Sequence, residues 1–226
     1  MERLDNSLRK LNNLEATEVL TGMKQFALIL QSREGSSVDE YLFRPESGVR
    51  LTIDRRIPKP QELDRDVVFH RVARLVGWNI TLPVEPYTFE DEKGAIRPFY
   101  RNIKKIEPYE LKYDSMKDSD FWVKTAVLDY MCGIVDRVSN DILIIDNQKR
   151  LVDSGLSFVE GSNFTVLNSV VRKILRGVEI DEKLLNDIFR LNWRNIKKET
   201  SGLITDQEMK WVLERRDLTL RQKKVL

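Results

Sequence analysis

The sequence predicts an α+β chain in two lobes: a β-rich N-terminal part with one main helix, and a mostly helical C-terminal part. Three observations predict it. The early runs Phe26–Leu30 (FALIL) and Glu40–Arg44 (EYLFR) are strand-like. Between Gln61 and Gly77, the residues Leu63, Val67, Phe69, Val72, Ala73 and Val76 recur at helical spacing. Beyond about residue 105 helical patterns dominate, interrupted by one apolar hairpin.

The elements follow in order. Thr21–Gln25 is a candidate loop with one glycine, Gly22. A strand at Phe26–Leu30, a polar turn at Gln31–Asp39 and a second strand at Glu40–Arg44 come next. Pro45, Gly48, Pro58 and Pro60 make the following stretch irregular. The helix from Gln61 stops at Gly77, a good C-terminal residue. Thr81–Tyr87 and Ile96–Tyr100 read as extended segments around a turn at Asp91–Gly94. The lobes join near Phe99–Glu107, which divides one domain into residues 1–103 and 104–226. In the second part Phe121–Ile134 is an apolar helix capped from Asp118-Ser119-Asp120. ILII and RLV pair as a hairpin across Asp146-Asn147. Further helices are expected over Ser162–Arg176, Asp181–Leu191 and Thr205–Arg216, with Gly177 and Gly202 as breaks.

Bulk properties exclude several classes. The 226 residues suit one large domain or two small lobes, and 41% hydrophobic content supplies a real core. A net charge of +2 gives no electrostatic case for nucleic acid. The basic tail from Arg215 to Lys224 is interrupted by acids and reads as a solvated face. One cysteine, Cys132, excludes a disulfide framework and reads as core. The polar, amphipathic start is not a secretory signal, and no apolar run reaches bilayer length. A reducing, cytoplasmic setting is expected. The single histidine, His70, lies inside a helix and reads as packed.

The segment Phe121–Phe158 carries the chemistry. Asp136 sits in a polar loop directly before Arg137, and Asp153 follows the second hairpin strand, before Ser154-Gly155. The hairpin brings both carboxylates to one end. Phosphoryl transfer needs such a pair, one acid beside the nucleophile and one on Mg²⁺.

The order of motifs over roughly residues 17–190 resembles the phosphatidylinositol 3-/4-kinase-like branch of the protein-kinase superfamily, including HipA-type relatives. Tyr41-Leu42-Phe43-Arg44-Pro45 resembles the family's strand ending in F-K-P. Arg65-Asp66-Val67-Val68-Phe69 resembles the opening of the next helix, whose acid pairs that lysine. Leu75–Trp78 with Leu82-Pro83 resembles L-G-x…V-P-P. Leu128–Arg137 resembles the catalytic segment, and Leu151–Phe158 the I-D-x-G-L-x-F metal segment.

The resemblance implies a bilobal protein-kinase-like fold and transfer of the γ-phosphoryl of ATP, with Mg²⁺, to an unidentified hydroxyl. A protein Ser/Thr acceptor is favoured over a lipid or small molecule. It implies a catalytic Asp136 with Arg137, and metal ligands Asp153 and Asn140 or Asp141. Arg44 and Asp66 would steady the phosphates, with Gly22 and Lys24 nearby and an adenine-binding backbone near Phe99 and Tyr100. The chain departs from the pattern at Arg44 for lysine, Asp66 for glutamate and Asp141 for asparagine. These departures support an alternative, a catalytically impaired pseudokinase acting as a binding or regulatory module.

Overall fold

The computed structural model describes residues 11, 14–21, 26–34, 37–48, 61–158 and 167–226. Strands β1 (Glu15–Thr21), β2 (Phe26–Glu34) and β3 (Ser37–Pro45) precede helix α1 (Gln61–Leu75), and β4 (Glu85–Phe89) and β5 (Glu92–Pro98) follow it. They form one antiparallel sheet in the order β1-β2-β3-β5-β4. A second sheet joins β6 (Lys104–Lys105), β7 (Ile142–Ile145) and β8 (Gln148–Leu151). The remaining elements are α2 (Tyr113–Met116), α3 (Asp120–Met131), α4 (Val170–Leu175), α5 (Glu182–Phe189), α6 (Trp193–Thr200) and α7 (Asp206–Gln222).

Alternation along the strands divides the first sheet into two faces. Leu30, Tyr41, Phe43, Phe89 and Ile96 bury one face together, and Phe43 packs at 6.1 Å from Tyr87 and 6.0 Å from Phe89. The opposite face carries Arg44 beside Ala95 and Leu42 beside Arg97, and looks toward α1. Helix α1 is buried over most of its surface, with the polar Arg65, Asp66 and His70 buried alongside its apolar residues, and it packs against two partners. Leu63 and Val67 pack on Val84 and Ala95 of the sheet side. Val68, Phe69, Val72, Ala73 and Val76 join the main core with Trp122, Val127, Leu184, Met209 and Val212 of the helices. Gly77 ends α1 at φ 77°, where a side chain would be strained, and Trp78 N–H reaches back to Ala73 O at 2.8 Å.

The hairpin turn sits at Asp146-Asn147 as expected, with φ of 49° and 61° at its two residues. Other boundaries differ. The polar stretch Gln31–Asp39 is largely ladder, not turn: β2 runs to Glu34 and β3 starts at Ser37. Here cross-strand pairing, including Gln31 Nε2 to Glu40 Oε1 at 3.0 Å, overrides polar composition. The expected turn at Asp91–Gly94 moves back to Glu90-Asp91, at φ 48° and 67°. Gly94 lies inside β5 opposite Pro45, where a side chain would collide with the Arg44 carbonyl. Helix α6 was not anticipated, and the expected helix Ser162–Arg176 is described from Val170. Among the described residues no helix is long and apolar enough to cross a membrane.

Candidate functional site

The site forms where β3, α1 and the turn after β8 converge. Arg44 and Asp66, both buried, form an ion pair through Arg44 Nη2 and Asp66 Oδ2. The other end of the guanidinium, Nη1, lies 3.6 Å from Asp153 Oδ1. The second Asp66 oxygen accepts the Ser154 N–H at 2.9 Å. Burial works to raise the Asp66 carboxyl, but Arg44, then Arg97 and the Ser154 N–H, hold it below its ordinary value. Burial likewise opposes the Arg44 charge, and Asp66 and Asp153 outweigh it. The pair is therefore ionised.

Asp153 follows β8 with φ 54°, a left-handed conformation that aspartate tolerates better than most residues. Its side chain is 62% exposed and reaches the open side of the cluster. Gly155 lets this turn pass under the start of α1: a Cβ there would lie 2.7 Å from Glu62 O. Asp141 closes the turn Ser139–Asp141, and its Oδ2 accepts the Val138 N–H at 2.9 Å. Its carbonyl accepts the Val152 N–H at 2.9 Å, which ties it to the residue before Asp153. Burial pushes the Asp141 carboxyl up to about 6 against the pull of Arg137, and Asp153 adds to the rise. Asn140 is exposed on the same turn. Among the described residues no three His, Cys, Asp or Glu side chains form a metal cluster.

Arg137 lies beneath this surface and is wholly buried. It donates to Asp129 at 3.2 Å, to Val152 O at 2.7 Å and to Ser154 Oγ at 2.8 Å, with its guanidinium 5.3 Å from the Phe69 ring centre. Ser169 Oγ donates to the other Asp129 oxygen at 2.6 Å. Arg137 thus faces inward and braces the Asp153 turn rather than opening beside Asp136. Asp136 is half-buried between Arg137 and Val135, whose N–H donates to Leu156 O at 3.1 Å. Both neighbours of Asp136 therefore hold the 152–156 segment.

Phe99 and Tyr100 line a surface hollow with Tyr41, Arg101 and Asn102. The Phe99 N–H is taken by Glu40 O at 2.8 Å, so it has no hydrogen left for an adenine. Gly22 and Lys24 lie outside the described residues. His70 is buried with Nδ1 2.7 Å from Thr81 Oγ1, and Cys132 is fully buried, where burial pushes its thiol up. Trp78 is a buried plug whose Nε1 donates to Asp187 at 3.1 Å.

Three residues were missed. Arg97 lines the small cavity with Asp66, Val152 and Ser154. Only the strand register, which sets it opposite Leu42, brings it there. Asp129 stood inside the catalytic motif without a role. Glu208 pairs with Arg65 between buried side chains, and Arg65 also donates to Ser157 O at 2.6 Å. The separation of Arg65 and Glu208 in the chain leaves no local signal.

No family model and no curated protein matches the chain. Among solved structures it is similar to hydra Fam20 determined with a sugar. That match has a TM-score of 0.59 and 12% identity, over 97% of this chain and 87% of that one. It also matches the proinflammatory kinase CtkA of Helicobacter pylori, with a TM-score of 0.49 and 9% identity, over 94% and 93% of the two chains. A third is the Chaetomium thermophilum Rio2 kinase in its ADP/Mg²⁺-phosphoaspartate complex, with a TM-score of 0.44 and 10% identity, over 95% and 74%. The fold is kinase-like: an antiparallel sheet first, helices after.

Proposed function

We propose that the chain is an atypical kinase of the phosphatidylinositol 3-/4-kinase-like, HipA-like branch, moving the γ-phosphoryl of ATP to a hydroxyl. A protein Ser/Thr is the favoured acceptor. The observation that carries this reading is the convergence of Arg44, Asp66 and Asp153, from β3, α1 and the turn after β8, in one cluster. Positioning and electrostatics are what phosphoryl transfer asks of a protein. Asp136 orients the acceptor hydroxyl and accepts its proton. Arg137 is a positioning residue that fixes the Asp153 turn.

The donor set fits Mg²⁺, a hard ion that takes one or two carboxylates and completes its shell with phosphates and water. Asp153, with its exposed carboxylate, and Asp141, with Oδ2 held by Val138, would hold it, and Asn140 is within the same turn. When bound, the ion screens phosphate charge.

A second reading, the impaired pseudokinase, has its own support. Arg44 stands for lysine with both ends of its guanidinium engaged, and the Phe99 N–H is occupied.

Thermal melting with ATP and Mg²⁺ separates the readings. The wild type should gain stability by mass action, and Asp153→Ala, a change at an exposed side chain, should lose that gain while keeping its fold. No shift at millimolar ATP would sink the kinase reading. A shift without phosphate transfer to any hydroxyl acceptor would favour the pseudokinase.

A further inference from the structure

Arg44 and Arg97 share one face of the sheet. Arg44 is opposite Ala95 and Arg97 opposite Leu42, so the two guanidiniums are diagonal neighbours on β3 and β5. Their surroundings differ. Arg44 is occupied at both ends, by Asp66 and Asp153. Among the described residues Arg97 makes no hydrogen bond and no ion pair. It feels Asp66, Asp153 and Asp141 only through space, alongside the like charge of Arg44. The buried arginines described, including Arg65, Arg137 and Arg172, each donate to a carboxylate or carbonyl, whereas Arg97 is only partly buried.

A half-buried guanidinium without an acceptor is costly, because it loses water and gains no partner. Burial, followed by Arg44, pulls its pKa down, in keeping with that cost. The nearby acids do not relieve it: Asp66 is shared between Arg44 and the Ser154 N–H, and Asp141 holds Val138. Arg97 also borders, with Asp66 and Ser154, a cavity of about 10 Å³, room for one water, and its own side chain is only partly buried, so part of it is open to solvent.

We infer that Arg97 is the anion-binding residue of this site, its planar fork taking a phosphate group that Arg44, locked between two aspartates, does not take. A guanidinium matches phosphate oxygens bidentately, which a lysine point charge does not. The inference rests on the phosphotransferase reading for the source of that phosphate, the polyphosphate of a nucleotide. The same chemistry fits a free polyphosphate.

Calorimetric titration of wild type, Arg97→Met and Arg97→Lys with Mg²⁺ and three probes tests it: ATP, inorganic tripolyphosphate and adenosine. Tripolyphosphate and ATP should bind the wild type and bind Arg97→Met about tenfold or more weakly, the effect of losing a charge-assisted pair. Adenosine should not distinguish the two. Melting temperature should hold or rise in Arg97→Met, because an unpartnered charge is removed. If Arg97→Met does not fold, Arg97→Lys carries the test, with the charge kept, the fork lost and a several-fold weaker tripolyphosphate affinity at unchanged melting temperature.

Equal tripolyphosphate affinity in variant and wild type overturns the inference. So does a wild type that binds neither polyphosphate nor ATP, or a fall in melting temperature without loss of binding. A wild type that takes tripolyphosphate through Arg97 but refuses ATP leaves the anion site standing and removes the nucleotide reading instead.

Discussion

Arg137 and Arg97 both lie beside the segment Val152–Ser154, and their environments are opposites. Arg137 has Asp129, the Val152 carbonyl, Ser154 Oγ and the Phe69 face around it. Arg97 borders a small cavity and, among the described residues, makes no hydrogen bond and no ion pair. A guanidinium with all its donors matched is part of the architecture, because removing it strands its partners. One with none matched contributes nothing to architecture and is available for recognition. The contrast in partners goes with a contrast in burial: Arg137 is fully buried and Arg97 only partly.

The comparison breaks most visibly at Arg137. Arg137→Met leaves Asp129 buried with only Ser169 to satisfy it, and should cost roughly 3–5 kcal/mol in urea unfolding. Adding Asp129→Leu should recover much of that loss, because the stranded charge goes with it. If the single variant were as stable as wild type, Arg137 would not be framework and the contrast would fail.

Gly155→Ala should come next. Its methyl meets the Glu62 backbone, and the shift needed to relieve it should cost roughly 1–3 kcal/mol, read as a lower melting temperature. The same shift moves the Ser154 N–H from Asp66, so ATP stabilisation should fall with it.

Asp141→Asn sharpens the comparison through pH. The Asp141 carboxyl titrates at about 6 in the folded protein against an ordinary 3.8, so between these values the folded state holds a proton that the unfolded state releases. Its contribution is therefore most favourable below the unfolded value and is lost as pH rises through 6. Asparagine removes that loss. The variant's gain over wild type should be larger at pH 8 than at pH 5 by about 1 kcal/mol, from urea midpoints at the two values. An equal gain at both would show that the carboxyl is not raised. Arg97→Met should move stability least, by no more than about 0.5 kcal/mol in the destabilising direction, the range of substitutions that strand no partner.

Turns were the part of the fold most legible from sequence, because their signals are local. Asp146-Asn147, Gly77, Gly177 and Gly202 all take positive φ. Strand ends were not legible. Ser37-Val38-Asp39 has one apolar residue, the exposed Val38, between two polar ones, and only its pairing with Ser32–Glu34 makes it ladder. Strand β1 is exposed along almost its whole length and shows no buried alternation. In the site, Arg44, Asp66 and Asp153 stood out through the motif order. Arg97 did not, because proline follows it, no charge flanks it, and its neighbourhood exists only in the register of β3 against β5.

Arg65 and Asp66 are consecutive on α1, yet one reaches Glu208 on α7 and the other presents its carboxylate to Arg44. Glu208 is itself fixed by the Thr205 N–H at 2.7 Å. The helix that supplies the site's acid is therefore anchored to α7 by the adjacent residue. The entropy of bringing Asp66 to Arg44 is lost once, during folding, and not again at each encounter with a ligand. A site built this way is preorganised from its far end, and the first turn of α7 acts as its spine.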